Sequence, residues 1–226
     1  MLTVLAVTAA WAAGQLITAV ELPVTGAAAG RLLRSRATVR RLGALFAVDA
    51  FAGGFVVQAF LVFWFARRYG ASIELMGVVF FAVGLLQAAS SVVAGWLGGR
   101  IGLLNTMVFT HLPSNLLLIA IPWAPTLPIA ITLLFARAGL SQMDVPARQV
   151  YVVTMVDPAE RTIAAAYTNT ARYAARPVAP IAAGALMQHA WIGLPFLIGG
   201  TLKIVYDLTL YAMFRHIRPT GPRQSP

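Results

Sequence analysis

Ionisable side chains are rare in the long apolar stretches of this chain, so their types and spacing are where chemistry could reside. Asn169, Arg172 and Arg176 fall at i, i+3 and i+7, on one face of a helix. Arg137, Ser141, Asp144 and Arg148 repeat that pattern at i, i+4, i+7 and i+11. Two arginines on one stripe suit an anionic ligand group or acidic partners on another helix. The plainer alternative is that Arg172 ties its helix to its neighbours. Asp49 shares a face with Gly53. A carboxylate away from water can load and release a proton when burial and a cationic neighbour oppose each other. Its alternative role is a constant partner for Arg172 or Arg137. Lys203 and Asp207 lie at i,i+4 and read as a structural pair that neutralises itself. His111 and Asn115 flank Pro113, which frees a carbonyl and should kink its helix; His111 reads as a hydrogen-bonded packing residue.

Other chemistries find no support. His111, His189 and His216 are not at helical ligand spacing, cysteine is absent, and no serine sits in a G-x-S-x-G turn. The expectation is a protein without metal or cofactor, and not an enzyme.

These residues must be positioned by helices in lipid. Hydrophobic residues make up 59% of the chain and charged residues only 11%, against roughly 25% charged in a soluble domain. A hydrocarbon core of ~30 Å needs about 20 apolar residues in helical form. Such stretches occur at Leu2–Leu22, Gly43–Ala66, Ser72–Gly98, Leu103–Trp123, Leu127–Tyr151, Thr162–Gln188 and Ile192–Phe214. The expected fold is an all-α membrane protein of seven transmembrane helices. At 1.5 Å per residue, Arg137 and Arg172 each lie ~15 Å into their spans, near the bilayer centre. Such groups are costly in lipid and should face a bundle interior or a wet cavity.

Orientation follows from the loops. Arg31, Arg34, Arg36, Arg40, Arg41, Arg100, Arg148, Arg161, Arg215, Arg218 and Arg223 fall on one side, and only Arg67 and Arg68 on the other. Cytoplasmic loops carry the arginine excess. The N-terminus is therefore expected outside and the C-terminus in the cytoplasm of a plasma (inner) membrane. The net charge of +10 reads as arginine facing anionic lipid rather than nucleic acid. Residues 1–22 lack the basic start of a signal peptide and read as a retained span, with a cleaved signal as the alternative. Residues 23–42 form a basic linker, whose Arg31–Leu42 part is either an amphipathic surface helix or a solvated strand of chain.

One loop carries a resemblance. Gly95-Trp-Leu-Gly-Gly-Arg-Ile-Gly102 resembles the signature G-x-L-a-D-R-x-G-R-R of the major facilitator superfamily, matching at Gly95, Leu97, Arg100 and Gly102. It departs at Gly99, Leu103 and Leu104, as the weaker copy in the family's second half does. Arg137 to Gln149 is similar to the tenth helix of drug-efflux-like members. Asp157-Pro-Ala-Glu-Arg161 with Thr168-Asn-Thr-Ala-Arg172 is similar to their eleventh.

The resemblance implies a C-terminal six-helix half over 43–214, one extra span before it and a cytoplasmic tail over 215–226. Such a half supplies one wall of a substrate path between two halves, so a partner half or a homodimer is implied. Their cost at membrane depth makes Asp49, Arg137, Asn169, Arg172 and Arg176 the expected substrate or proton path. A cytoplasmic gate would form from Arg100, Asp144 and Arg148, with a static helix-end pair of Asp144 and Arg148 as the alternative. The expected function is secondary transport, by export, of a small organic solute. The cationic surplus inside the membrane leans toward an anionic or zwitterionic one. A non-transporting binding or regulatory module and an inactive remnant stay open. A seven-helix receptor has the same topology, but the short loops and missing cysteines speak against it.

Overall fold

The chain divides into two compact units, Met1–Arg31 and Leu32–Pro226. The computed structural model describes residues 34–189 and 191–217, all within the second. The expected span over 2–22 lies outside the described residues, as do most of the linker and the tail beyond 217.

Among the described residues there are nine α-helices and no strand. They are α1 (Arg36–Gly54), α2 (Gln58–Tyr69), α3 (Ile73–Ile101), α4 (Leu103–Ala120), α5 (Leu127–Ser141), α6 (Asp144–Thr154), α7 (Arg161–Ala175), α8 (Val178–His189) and α9 (Leu194–Phe214). Four stretches are long and apolar enough to cross a membrane: Arg36–Tyr69, Ile73–Ile101, Leu103–Trp123 and Leu194–Phe214. The other two expected spans are each split in two. Pro146 in the first turn of α6 has no N–H and crowds the carbonyl four residues back, so the helix breaks at Gln142–Met143. Pro177 interrupts α7 and α8 in the same way. Pro113, by contrast, stays inside an unbroken α4.

The start of α1 also differs from expectation. It begins at Arg36, inside the expected linker, because Val39 and Leu42 are fully buried and continue the inward stripe of Phe46. Glu160, in the turn before α7, accepts the backbone N–H groups of Arg34 and Ser35 at 2.9 Å each. A carboxylate there satisfies otherwise orphaned donors and complements the helix dipole.

Turns are set locally. Gly70 ends α2 in the left-handed region at φ 68°, its N–H reaching the Ala66 carbonyl, a conformation that favours glycine. The Tyr69 hydroxyl donates to the Ala124 carbonyl at 2.7 Å and ties this turn to the one after α4.

Two large apolar clusters fill the interior, and a small third one forms around Phe55, Ala179 and Ala183. One joins α2, the start of α3, the end of α4, α5 and Phe196 around Trp64, Phe65, Ile121 and Leu134. The other joins the starts of α1 and α4, α6 and the end of α9 around Leu42, Phe46, Met107 and Phe214. In lipid such clusters cohere by close packing rather than by leaving water. The Trp64 and Phe196 rings, 5.0 Å apart and tilted at 66°, show it. Helix α3 contributes little; Val78, Phe81, Val92 and Trp96 on it are exposed, as a lipid-facing helix should be.

Candidate functional site: a buried ion network between two apolar clusters

Along α4 and α9 the order of side chains is the same: charged groups lie between a member of one large apolar cluster and a member of the other. On α1, Asp49 follows Phe46 of one large cluster and precedes Phe55, which packs with Ala179 and Ala183 in a small third one; on α6, Asp144 and Arg148 adjoin Ala147 and Tyr151 of the Phe46 cluster. On α4, His111 and Asn115 lie between Met107 and Leu118. On α9, Lys203 and Asp207 lie between Phe196 and Leu210. The charged groups therefore form a layer at mid-height, where each must find a partner inside the protein.

Asp49 is the hub. Its side chain is 5% exposed. Lys203 Nζ donates to Oδ1 at 2.5 Å, and Arg148 Nη1 donates to Oδ2 at 3.2 Å. Arg172 Nη2 stands 4.0 Å from Oδ2 and His111 Nε2 4.0 Å from Oδ1. Arg148 also donates to Asp144 Oδ2 at 2.8 Å. A second knot adjoins the first. His111 Nδ1 lies 2.8 Å from Asp207 Oδ1, and Asn115 Nδ2 donates to Asp207 Oδ2 at 2.9 Å. His111 Nδ1 also lies 3.3 Å from Asn115 Nδ2, so its roles in the two contacts are set by the ring tautomer.

Helix breaks surround this layer. Asp49 lies one turn before the end of α1, Asp144 opens α6, and Arg172 lies in the last turn of α7. At the α1 break the backbones come close: a Cβ on Gly54 would meet the Arg176 carbonyl at 2.6 Å. Glycine permits that approach of α1 to the α7–α8 junction.

The expected site residues divide. Asp49, Asp144, Arg148 and Arg172 come together. Arg137 is partly buried, its Nε without a partner, and forms no ion pair with the described residues; its carbonyl accepts from Ser114 Oγ at 3.3 Å. Asn169 and Arg176 share the face of Arg172 but are exposed. Arg100, expected beside Asp144 and Arg148, is exposed and stacks 4.1 Å over the Trp96 ring of its own helix. Lys203 and Asp207 do not form the expected pair. Both face inward, but at different depths, where Lys203 meets Asp49 and Asp207 meets His111. His111 and Asn115 belong to the network, a role that the packing reading missed. The polar series Thr106, Thr110, His111, Ser114 and Asn115, all buried on one side of α4, was the available signal.

No solved structure matches this chain. A relative is an uncharacterized membrane protein of Saccharomyces cerevisiae, 28% identical over 175 residues. The match covers 77% of this chain and 39% of the relative, so the chain spans about two-fifths of that protein's length. A family profile, described as Major Facilitator Superfamily, matches residues 42–226, which include every residue of the network. With its apolar helices and its intramembrane ion layer, this multi-pass membrane protein belongs to the major facilitator superfamily, a family of membrane transporters.

Proposed function

We propose that this chain forms one six-helix half of a secondary transporter for a small organic solute, preceded by one further span, and that the Asp49 network is its switch. The observation that carries the reading is the sharing of one buried carboxylate by Lys203 on α9, Arg148 on α6 and Arg172 on α7. Protonating Asp49 would cancel the charge that holds three elements together. Each lies next to, or opposite, a broken helix, and discontinuous helices near the bilayer midplane are where transporters of this kind place their sites. The split spans at 127–154 and 161–189 cross the membrane as helix pairs, completing seven spans with residues 2–22.

An anionic substrate fits best. Arg137 Nε and Arg172 Nε are both buried without a hydrogen-bond partner, and a guanidinium offers donors matched to carboxylate or phosphate. The face carrying Asn169, Arg172 and Arg176 is open, and a polar face of that kind is unsuited to lipid. A second half, from a partner or another copy, would cover it. Export is proposed from the likeness of residues 137–172 to drug-efflux-like members, and the arginine-rich side is proposed to face the cytoplasm of a plasma membrane.

Proteoliposomes holding the full chain, alone and with a completing half, test this with a lumenal pH dye and a panel of small organic anions. Solute-driven proton movement should need both halves and vanish in Asp49→Asn. A stable monomer that transports by itself would remove the half-transporter reading. Orientation is tested separately, because the chain has no cysteine. Arg36→Cys should label with impermeant maleimide only after the membrane is opened, and Arg67→Cys in intact cells.

A further inference from the structure

Away from the ion network, α1 and α7 enclose a groove of about 570 Å³. Arg40 and Arg41 stand on its α1 side and Tyr167 on its α7 side, over a floor of Gly43, Ala44 and Ala171. The arginines are exposed, and no carboxylate among the described residues pairs with either. Of the other arginines toward this end, Arg36 and Arg215 are likewise exposed without an ion pair among the described residues, but three are engaged. Arg34 lies 3.6 Å from Asp157, Arg161 Nε donates to the Val153 carbonyl, and Arg100 stacks on Trp96. The groove also depends on a glycine. A Cβ on Gly43 would come within 2.8 Å of Tyr167 Cε1, so only a glycine lets that ring lie against α1 as a wall.

We infer that this groove binds the phosphate headgroup of an acidic phospholipid. Two adjacent guanidiniums offer several donors to one phosphate. Apart from the arginines and Tyr167, the lining is alanine and glycine, which suits the glycerol and upper acyl region better than a hydrated free ion. Arg41 precedes Asp49 by eight residues, about 12 Å along the helix, so with Asp49 at mid-height the arginines fall near headgroup level. Basic pockets between helices on the cytoplasmic side are suited to such headgroups. This inference does not rest on the transport reading, since a lipid site would hold in a chain that transports nothing.

The test uses the full chain in neutral detergent, with dihexanoyl phosphatidylglycerol, dihexanoyl phosphatidylcholine and inorganic phosphate as probes. Binding is followed by native mass spectrometry beside thermal melting. The glycerol lipid should bind saturably at one site, at least tenfold tighter than the choline lipid. Arg40→Gln with Arg41→Gln should lose that preference without a change in melting temperature. Gly43→Val should weaken binding by displacing Tyr167. Arg67→Gln with Arg68→Gln, which removes an equally charged pair elsewhere, should leave binding intact. Loss of binding in that control, or its persistence in the Arg40 and Arg41 variant, would mean general charge attraction and overturn the site. Displacement of the lipid by millimolar phosphate would reassign the groove to a dissolved anion and overturn the lipid as its source.

Discussion

The Asp49 knot and the outer stripe of α7 carry the same kinds of side chain at similar depth, yet they are built differently. Around Asp49, three carboxylates (Asp49, Asp144, Asp207) meet Lys203, Arg148, Arg172, His111 and Asn115 over short distances, and all but Arg172 are buried. On α7, Asn169 and Arg176 are exposed, and Arg172 reaches only one carboxylate oxygen, at 4.0 Å. In the first region every charged group finds a partner among the described residues, although Asn115 Oδ1 has none; the second is complete only when something covers it. The contrast separates charges that hold the bundle from charges available to a ligand or a second half. Substitutions can break it from either side.

The largest effect is expected at the hub. Asp49→Ala leaves Lys203 and Arg148 buried without their shared counter-charge, and removing one partner of a buried pair costs ~3–5 kcal/mol. Thermal melting in detergent should fall steeply. A double variant that also carries Lys203→Ala should be less destabilised than the two single losses added together. Strict additivity would show that the two groups are not coupled.

Next comes Asp207→Ala, which strips Asn115 Nδ2 of its acceptor and His111 Nδ1 of its carboxylate partner. Leaving a buried donor unsatisfied costs about 1–3 kcal/mol. Were Lys203 the partner of Asp207, the companion variant Asp207→Ala with Lys203→Ala would recover stability. The geometry predicts that it does not, because Lys203 answers to Asp49 instead.

That pair shows what was legible in the sequence and what was not. Long apolar runs without proline, such as Ile73–Ile101, announce their helices directly. The runs holding Pro146 and Pro177 read as single spans because hydropathy averaged over 20 residues conceals a one-turn break. The start of α1 was masked by arginines, although Val39, Leu42 and Phe46 already carried an i, i+3, i+7 apolar stripe. Within the site, spacing revealed which residues share a face: Asp144 with Arg148, Asn169 with Arg172. It could not reveal which faces meet. Asp49 and Lys203 are 154 residues apart, and nothing local to either names the other. An i,i+4 rule on α9 therefore paired the wrong residues.

A smaller effect is expected where α1 begins. Glu160→Ala removes the acceptor of two N–H groups at the head of α1. Losing a helix N-terminal cap costs typically ~1 kcal/mol. Hydrogen exchange should quicken at residues 35–39 while the amides around Asp49 stay protected. Equal quickening at both places would mean that the loop before α7 supports the whole network rather than one helix end.

The smallest change in stability is expected at Arg172→Lys, which lies on the border between the two regions. Its side chain is 29% exposed and its one carboxylate contact is 4.0 Å long, so little binding geometry is lost to the bundle. A partly exposed pair contributes ~0–1 kcal/mol, and lysine keeps the charge. What lysine cannot keep is the planar fork of donors, including the buried Nε that no protein atom engages. If that fork is aimed at an anionic substrate, melting should hardly move while anion-driven flux through the completed transporter is lost. If Arg172 instead belongs with Asp49 as scaffold, melting and flux should fall together. A variant that is stable and fully active would place the ligand contacts elsewhere on the open face, with Arg137 and Arg176 as the remaining cations to test in turn.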